Sequence, residues 1–245
     1  MGRSASTLPP AEAGARPPSC WEAPPPPDAG YALPPIPRHC ARIDPAAAGH
    51  FWLTGSDLCL YVWDYARRAG FAAGPANNLI SNLKKKPSRL AAHPIEASYK
   101  EQAIAHAARA LRSLLGREWI EHCGTLVPVP CSKLPGHPDH DDRLARVLRA
   151  AFQGWAADIR PLIGQRCSTA ADHETAGRSK LTELLALSHL DEAAAVQPPR
   201  PYLVVFDDVL TSGKHFKVAQ RLLAARFPQC AVLGLFLARC LPEQG

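Results

Sequence analysis

Residues 202–213 read Tyr202-Leu203-Val204-Val205-Phe206-Asp207-Asp208-Val209-Leu210-Thr211-Ser212-Gly213. The run 202–206 is continuously apolar and of strand length. It is expected to end at the two aspartates. Beyond the glycine, Val218, Ala219, Leu222 and Leu223 are spaced for one face of a helix over 216–226, and 231–237 is a second buried strand. Strand, helix, strand in that order predicts a right-handed parallel crossover, and so an α/β fold.

Upstream segments extend the pattern. Residues 58–62 read as a short strand broken by Gly70, Gly74 and Pro75, and 97–116 place Ile104, Ala107, Ala108, Leu111, Leu114 and Leu115 on one helical stripe. Residues 125–130 form a strand whose prolines, Pro128 and Pro130, restrict it to a sheet edge or to a strand terminus. Asp141 or Asp142 is placed to cap a helix carrying Leu144, Val147, Leu148 and Ala151. A short strand is expected over 159–163, and a helix over 180–187 follows the polar stretch 167–180.

In an open parallel sheet ligands bind beyond the carboxyl ends of the strands, which is where 207–215 fall. Strand alternation sends Asp207 and Asp208 to opposite sides, so at least one can meet the vicinal hydroxyls of a sugar. Thr211, Ser212 and Gly213 supply hydroxyls and a flexible backbone whose N–H groups sit at a positive helix end, a combination suited to a sugar phosphate. A nucleotide P-loop is disfavoured: its first glycine would fall on Asp208, and His215 stands where Ser or Thr is required.

These residues resemble the phosphoribosyl-pyrophosphate signature of type I phosphoribosyltransferases. The segment Leu126-Val127-Pro128-Val129-Pro130-Cys131-Ser132-Lys133 is similar to the strand and pyrophosphate loop of ComF-type proteins of that family. The likeness covers roughly 75–242 and is strongest at the two loops. It implies a parallel-sheet fold with helices on both faces. It implies ribose contacts from Asp207 and Asp208, 5-phosphate contacts from Thr211, Ser212, Gly213, Lys214 and His215, and pyrophosphate contacts from Ser132, Lys133 and Arg143. It also implies a lid over 167–180 carrying His173 and Arg178, with Arg166 beside it. The family usually has Thr two places after the glycine, where this chain has His215, and the paired C-x-x-C ribbon frequent in ComF-type proteins is missing.

The implied activity is that of a glycosyltransferase of nucleotide metabolism, joining a nitrogenous acceptor to C1 of phosphoribosyl pyrophosphate through an oxocarbenium-like transition state, or running the reverse. Asp207, Asp208 and Lys133 are the catalytic candidates. The cofactor is Mg²⁺, held through the ligand's phosphates and Asp207 or Asp208. A non-catalytic sensor of phosphoribosyl pyrophosphate and a ComF-like accessory role in DNA uptake are the alternatives. The expected partner is that ligand or another carrying ribose 5-phosphate, and a homodimer is an allowed assembly.

Composition limits the rest. Twelve of the 25 prolines precede residue 46, with little apolar periodicity, so 1–48 are expected to be a disordered Pro-rich tail and 49–245 the phosphoribosyltransferase-like domain. No apolar stretch approaches the roughly 20 residues of a membrane span, and the N-terminus lacks a signal-peptide core. Eight cysteines, none in a C-x-x-C pair, fit a reducing cytoplasm.

The net charge of +6 is concentrated in 84–117, with eight Lys or Arg against two Glu. The run Lys84-Lys85-Lys86 has no interleaved aromatics to stack bases, which disfavours nucleic acid, while Lys84 and Lys85 are candidates to approach the phosphate site. The His and Asp residues of 136–143 match no defensible metal spacing and read as a polar loop ending in a helix cap.

Overall fold

The computed structural model describes residues 32–45, 50–67, 69–168 and 181–242. The elements are β1 (Ala41–Arg42), β2 (Cys59–Tyr65), α1 (Pro75–Leu83), α2 (Pro87–Ala92), α3 (Pro94–Leu114), α4 (Arg117–His122) and β3 (Gly124–Pro128). There follow α5 (Arg143–Ala151), β4 (Asp158–Ile159), β5 (Ile163–Gln165), α6 (Leu181–Leu187), β6 (Ser188–Leu190), β7 (Tyr202–Leu210), α7 (Lys214–Arg226) and β8 (Ala231–Cys240). No described helix is long and apolar enough to cross a membrane.

A six-stranded sheet runs in the order β1-β2-β8-β7-β3-β4, parallel from β2 onward with β1 antiparallel at one edge. The α/β architecture with a mostly parallel sheet is thus as expected. β5 and β6 form a separate antiparallel pair. On one face α1, α3 and α5 bury Leu79, Leu83, Leu111 and Val147 in a core that includes Val204 and Phe206 of β7. On the other, α7 buries Phe216, Ala219 and Leu223 with Leu203 and Val205. Both faces of β7 are therefore covered, which is why its sequence is apolar without alternation.

The chain order makes a switch point. From β3 the chain moves through α5 to β4 on one side; from β7 it moves through α7 to β8 on the other. Crossovers of one hand that travel in opposite directions must place their helices on opposite faces, as α5 and α7 do. The neighbouring carboxyl ends of β3 and β7 thus flank a crevice left open by both connections.

Several boundaries differ from the sequence reading, and those near the site have clear causes. The strand 202–206 continues through both aspartates to Leu210: pairing with β3 stops at Pro128 opposite Phe206, whereas pairing with β8 persists to Leu210 opposite Arg239. Asp207 and Asp208 are thereby paired on one side and open on the β3 side. The strand expected over 159–163 divides into β4 and β5 around Pro161, which has no N–H for the ladder.

The compact unit also begins at Ala32, so 32–45 belong to the fold and not to the tail. The Pro34 carbonyl bonds His106 Nε2 at 2.8 Å, that of Pro35 accepts Trp63 Nε1 at 2.9 Å, and Ile43 is buried. Residues 1–31 lie outside the described residues. β3 sits between β7 and β4 and not at the sheet edge, but Pro128 is its last residue and β4 pairs only with Thr125 and Leu126.

Candidate functional site

Alternation along β7 divides the acidic pair. Asp208 follows Val204 and Phe206 onto the face of α1, α3 and α5; Asp207 follows Leu203 and Val205 onto the face of α7. Their environments differ accordingly. The Asp208 side chain is 4% exposed, and both of its oxygens are taken. Lys84 Nζ donates to Oδ1 at 3.2 Å, and Arg143 donates to Oδ2 through Nε at 3.0 Å and Nη2 at 2.5 Å.

Behind this pair lies a second one. Arg143 Nη1 also reaches Asp141 Oδ2 at 3.1 Å, and Asp141 accepts from Lys100, a fully buried lysine, at 2.7 Å. Burial alone would raise the proton affinity of Asp208, but Lys84 and Arg143 more than reverse this and hold it well below the usual carboxylate range. Burial likewise disfavours the charge on Arg143, and Asp208 and Asp141 overcome it, pushing its pKa up.

Among the described residues, Asp207 has no comparably close cation. Its Oδ1 accepts the Asp208 N–H at 2.8 Å, and its Oδ2 lies 3.8 Å from His215 Nδ1. Burial, reinforced by the negative charge of Asp208, raises its pKa from 3.8 to about 6. Asp207 lines one shallow cleft with Thr211, Ser212, Gly213, Lys214 and His215. His215 also lines a neighbouring cleft with Val129 and Pro130, the first residues beyond β3. Of the two carboxylates, Asp207 is the one that lines this cleft. Asp208, also expected to contact ribose, is spent within the protein.

The turn after β7 has the expected form. Gly213 adopts the left-handed conformation at φ 84°, immediately before the first turn of α7. A Cβ there would lie 2.8 Å from Leu53 Cδ2. Gly213→Ala is expected to cost about 1–2 kcal/mol from the backbone conformation alone, measured by urea denaturation. A loss below the error of that measurement would show that the turn relaxes freely.

The remaining candidates are placed as follows. Thr211 is exposed, Ser212 and His215 are half-buried, and Lys214 is buried despite its charge. Ser132 and Lys133 lie on the loop after β3, with the Lys133 carbonyl bonded to His140 Nδ1 at 2.7 Å. Arg143, expected at pyrophosphate, is instead held by Asp208 and Asp141, because it opens α5 directly beneath the carboxylate of β7. In the 136–143 loop, Asp139 accepts the Ser88 N–H and Asp141 pairs with Lys100. Asp142 is the N-cap residue of α5 but makes no side-chain cap bond; Asp141 accepts the Arg143 N–H instead, at 3.2 Å. His173 and Arg178 lie outside the described residues, as does most of the expected lid.

Of the two lysines considered for the phosphate site, Lys84 pairs with Asp208 and Lys85 turns to Glu96, each at 3.2 Å. Sequence reasoning missed Lys100 and His50. Lys100 had a signal, since it occupies the apolar stripe of α3 one turn before Ile104, where an unpaired lysine would be untenable. His50, whose Nδ1 lies 2.6 Å from the Thr211 carbonyl, had none, being 161 positions away.

The basic segment 84–117 is largely committed internally. Lys84 pairs with Asp208, Lys85 and Arg89 with Glu96, Lys100 with Asp141 and Arg117 with Glu121, while Arg112 bonds the carbonyls of Ala151 and Gln153. Compared with protein-family models and with curated proteins, the sequence matches none.

Proposed function

We propose that this chain binds phosphoribosyl pyrophosphate with Mg²⁺ in a type I phosphoribosyltransferase-like domain and transfers the phosphoribosyl group to or from a nitrogenous acceptor. One observation carries the reading: a carboxylate on an open strand end, Asp207, shares a cleft at the switch point of the sheet with a hydroxyl- and glycine-bearing turn that starts a 13-residue helix. The turn's hydroxyls and the N-terminal N–H groups of α7 suit a phosphate. The carboxylate that lines the same cleft suits sugar hydroxyls. The loop 129–133 leaves β3 beside β7, and this reading assigns the pyrophosphate at C1 to its Ser132 and Lys133.

Asp207 fits Mg²⁺ as well, because Oδ2 is an oxygen donor and, among the described residues, His215 at 3.8 Å is the cationic side chain paired with it. Bound there or through the ligand, the ion would neutralise charge on a departing pyrophosphate. The protein's own part is to hold the ribose through Asp207, fix the phosphate on the turn, and present Lys133 and loop amides to the developing charge. Phosphoribosyl pyrophosphate with Mg²⁺ is expected to bind in calorimetric titration, and Asp207→Asn to weaken it about 10- to 100-fold through loss of a charged hydrogen-bond acceptor. Equal affinity in the two proteins, or no binding by the wild type, would sink the assignment.

A second reading is favoured by one specific observation. Among the described residues, Lys84 and Arg143 are the cations bonded to the acidic pair, and both are tied to Asp208, which fits a protein that binds phosphoribosyl pyrophosphate as a sensor without turning it over. Release of pyrophosphate with a panel of bases, amines and ammonia separates the two: release marks the enzyme, and binding without release marks the sensor. The committed basic segment 84–117 offers little support for a ComF-like role in handling DNA.

A further inference from the structure

We infer that His50 is a positioning residue that aims the phosphate-binding turn, acting from behind it through the peptide carbonyls. The inference rests on the reading of 211–215 as a phosphate site, and goes further by naming what holds that site in its binding form.

Two carbonyls of the turn point at one segment. The carbonyl of Thr211 accepts from Nδ1 of His50 at 2.6 Å, and that of Ser212 accepts the Trp52 N–H at 3.1 Å. A carbonyl oxygen can only accept, so Nδ1 of His50 carries the proton. In a planar trans peptide the C=O of one residue is antiparallel to the N–H of the next. Fixing the Thr211 and Ser212 carbonyls toward residues 50–52 therefore turns the N–H groups of Ser212 and Gly213 the opposite way. Among the described residues neither of those N–H groups has an acceptor.

The bracing segment is itself anchored. The His50 ring is buried, and Leu53 packs against Gly213 where a side chain would otherwise sit. Asp57 is locked by Lys217 at 2.8 Å, by Gln220 at 3.0 Å, and by the Thr54 N–H at 2.7 Å. Lys217 and Gln220 belong to α7, so the brace and the helix that follows the turn move together. A flexible Thr-Ser-Gly sequence would otherwise sample many peptide orientations, and ligand binding would have to select one.

The test uses ribose 5-phosphate and, separately, Mg²⁺-pyrophosphate as probes in calorimetric titration of the full chain. His50→Leu removes the donor and is expected to weaken ribose 5-phosphate about tenfold while leaving pyrophosphate unchanged, a split that general loosening of the fold would not produce. His50→Asn, whose side-chain N–H falls near the place of Nδ1, is expected to restore most of the affinity. If His50→Leu does not fold, His50→Gln, with its N–H one bond further out, is the variant expected to lose affinity relative to His50→Asn. Unchanged ribose 5-phosphate binding in the donor-less variant, or equal losses in the Asn and donor-less variants, overturns the positioning role alone. Absence of ribose 5-phosphate binding in the wild type overturns this role together with the phosphate-site reading.

Discussion

Replacing Arg143 by methionine is expected to remove about 3–5 kcal/mol of folding stability in chemical denaturation, the scale associated with stripping one partner from a buried ion network. The guanidinium serves Asp208 through Nε and Nη2 and Asp141 through Nη1, and all three side chains are largely out of water. Methionine fills much of the volume but leaves two carboxylates sharing Lys84 and Lys100. Of these, Lys84 is 35% exposed and can be drawn toward solvent, whereas Lys100 is 2% exposed and cannot. Adding Asp208→Asn to Arg143→Met should cost less than the sum of the single changes by at least about 1 kcal/mol, because the second substitution removes a charge that the first has stranded. Additive losses, or a loss under about 1 kcal/mol for Arg143→Met alone, would mean that water replaces the guanidinium and that the network is loose.

The network's consequence for the site is geometric. By holding Asp208 on the α5 face it leaves Asp207 alone in the cleft, beside a turn whose carbonyls are tied down from the opposite side. How much of this the sequence discloses follows from the range of each interaction. The apolar run 202–206, the periodic α5 and α7, and the Thr211-Ser212-Gly213 turn are local patterns with local causes, and they are legible. The opposite placement of Asp207 and Asp208 is legible too, since it needs only the two-residue period of a strand.

That Asp208 is neutralised from positions 65 and 124 residues away is not legible, and neither is the capture of the Pro34 and Pro35 carbonyls by His106 and Trp63. Proline-rich composition signals a solvated chain because it lacks apolar periodicity. Here the backbone carbonyls, present whatever the side chains, supply the contact. The extension of β7 past Phe206 has the same origin: aspartate is a poor strand residue, and the ladder with β8 overrides that preference.

Asp207 should make the stability of the protein depend on pH in a direction opposite to that of an ordinary paired carboxylate. Its pKa in the fold is about 6, raised from 3.8 by burial and by the charge of Asp208, so the folded state binds a proton more tightly than the unfolded chain. The stabilisation this gives is fully present below about pH 4 and is lost as pH rises through about 6, on the order of 2–3 kcal/mol in all. Asp208 runs the other way: its pKa is depressed in the fold, and its contribution stands above about pH 4 and falls away in acid. Asp207→Asn keeps the shape and removes the charge. The difference in stability between wild type and variant, followed by denaturation from pH 4 to 8, is therefore expected to move in favour of the variant up to about pH 6 to 7 and then to level off. A difference independent of pH would show that Asp207 is hydrated in the free protein and carries no stored electrostatic cost. If the cost is there, a sugar hydroxyl or a cation reaching Oδ2 would relieve it. Ribose 5-phosphate, whose own phosphate loses its second proton near pH 6, should then gain more affinity for the wild type as pH rises through 6 than for Asp207→Asn, which keeps only the gain due to the ligand.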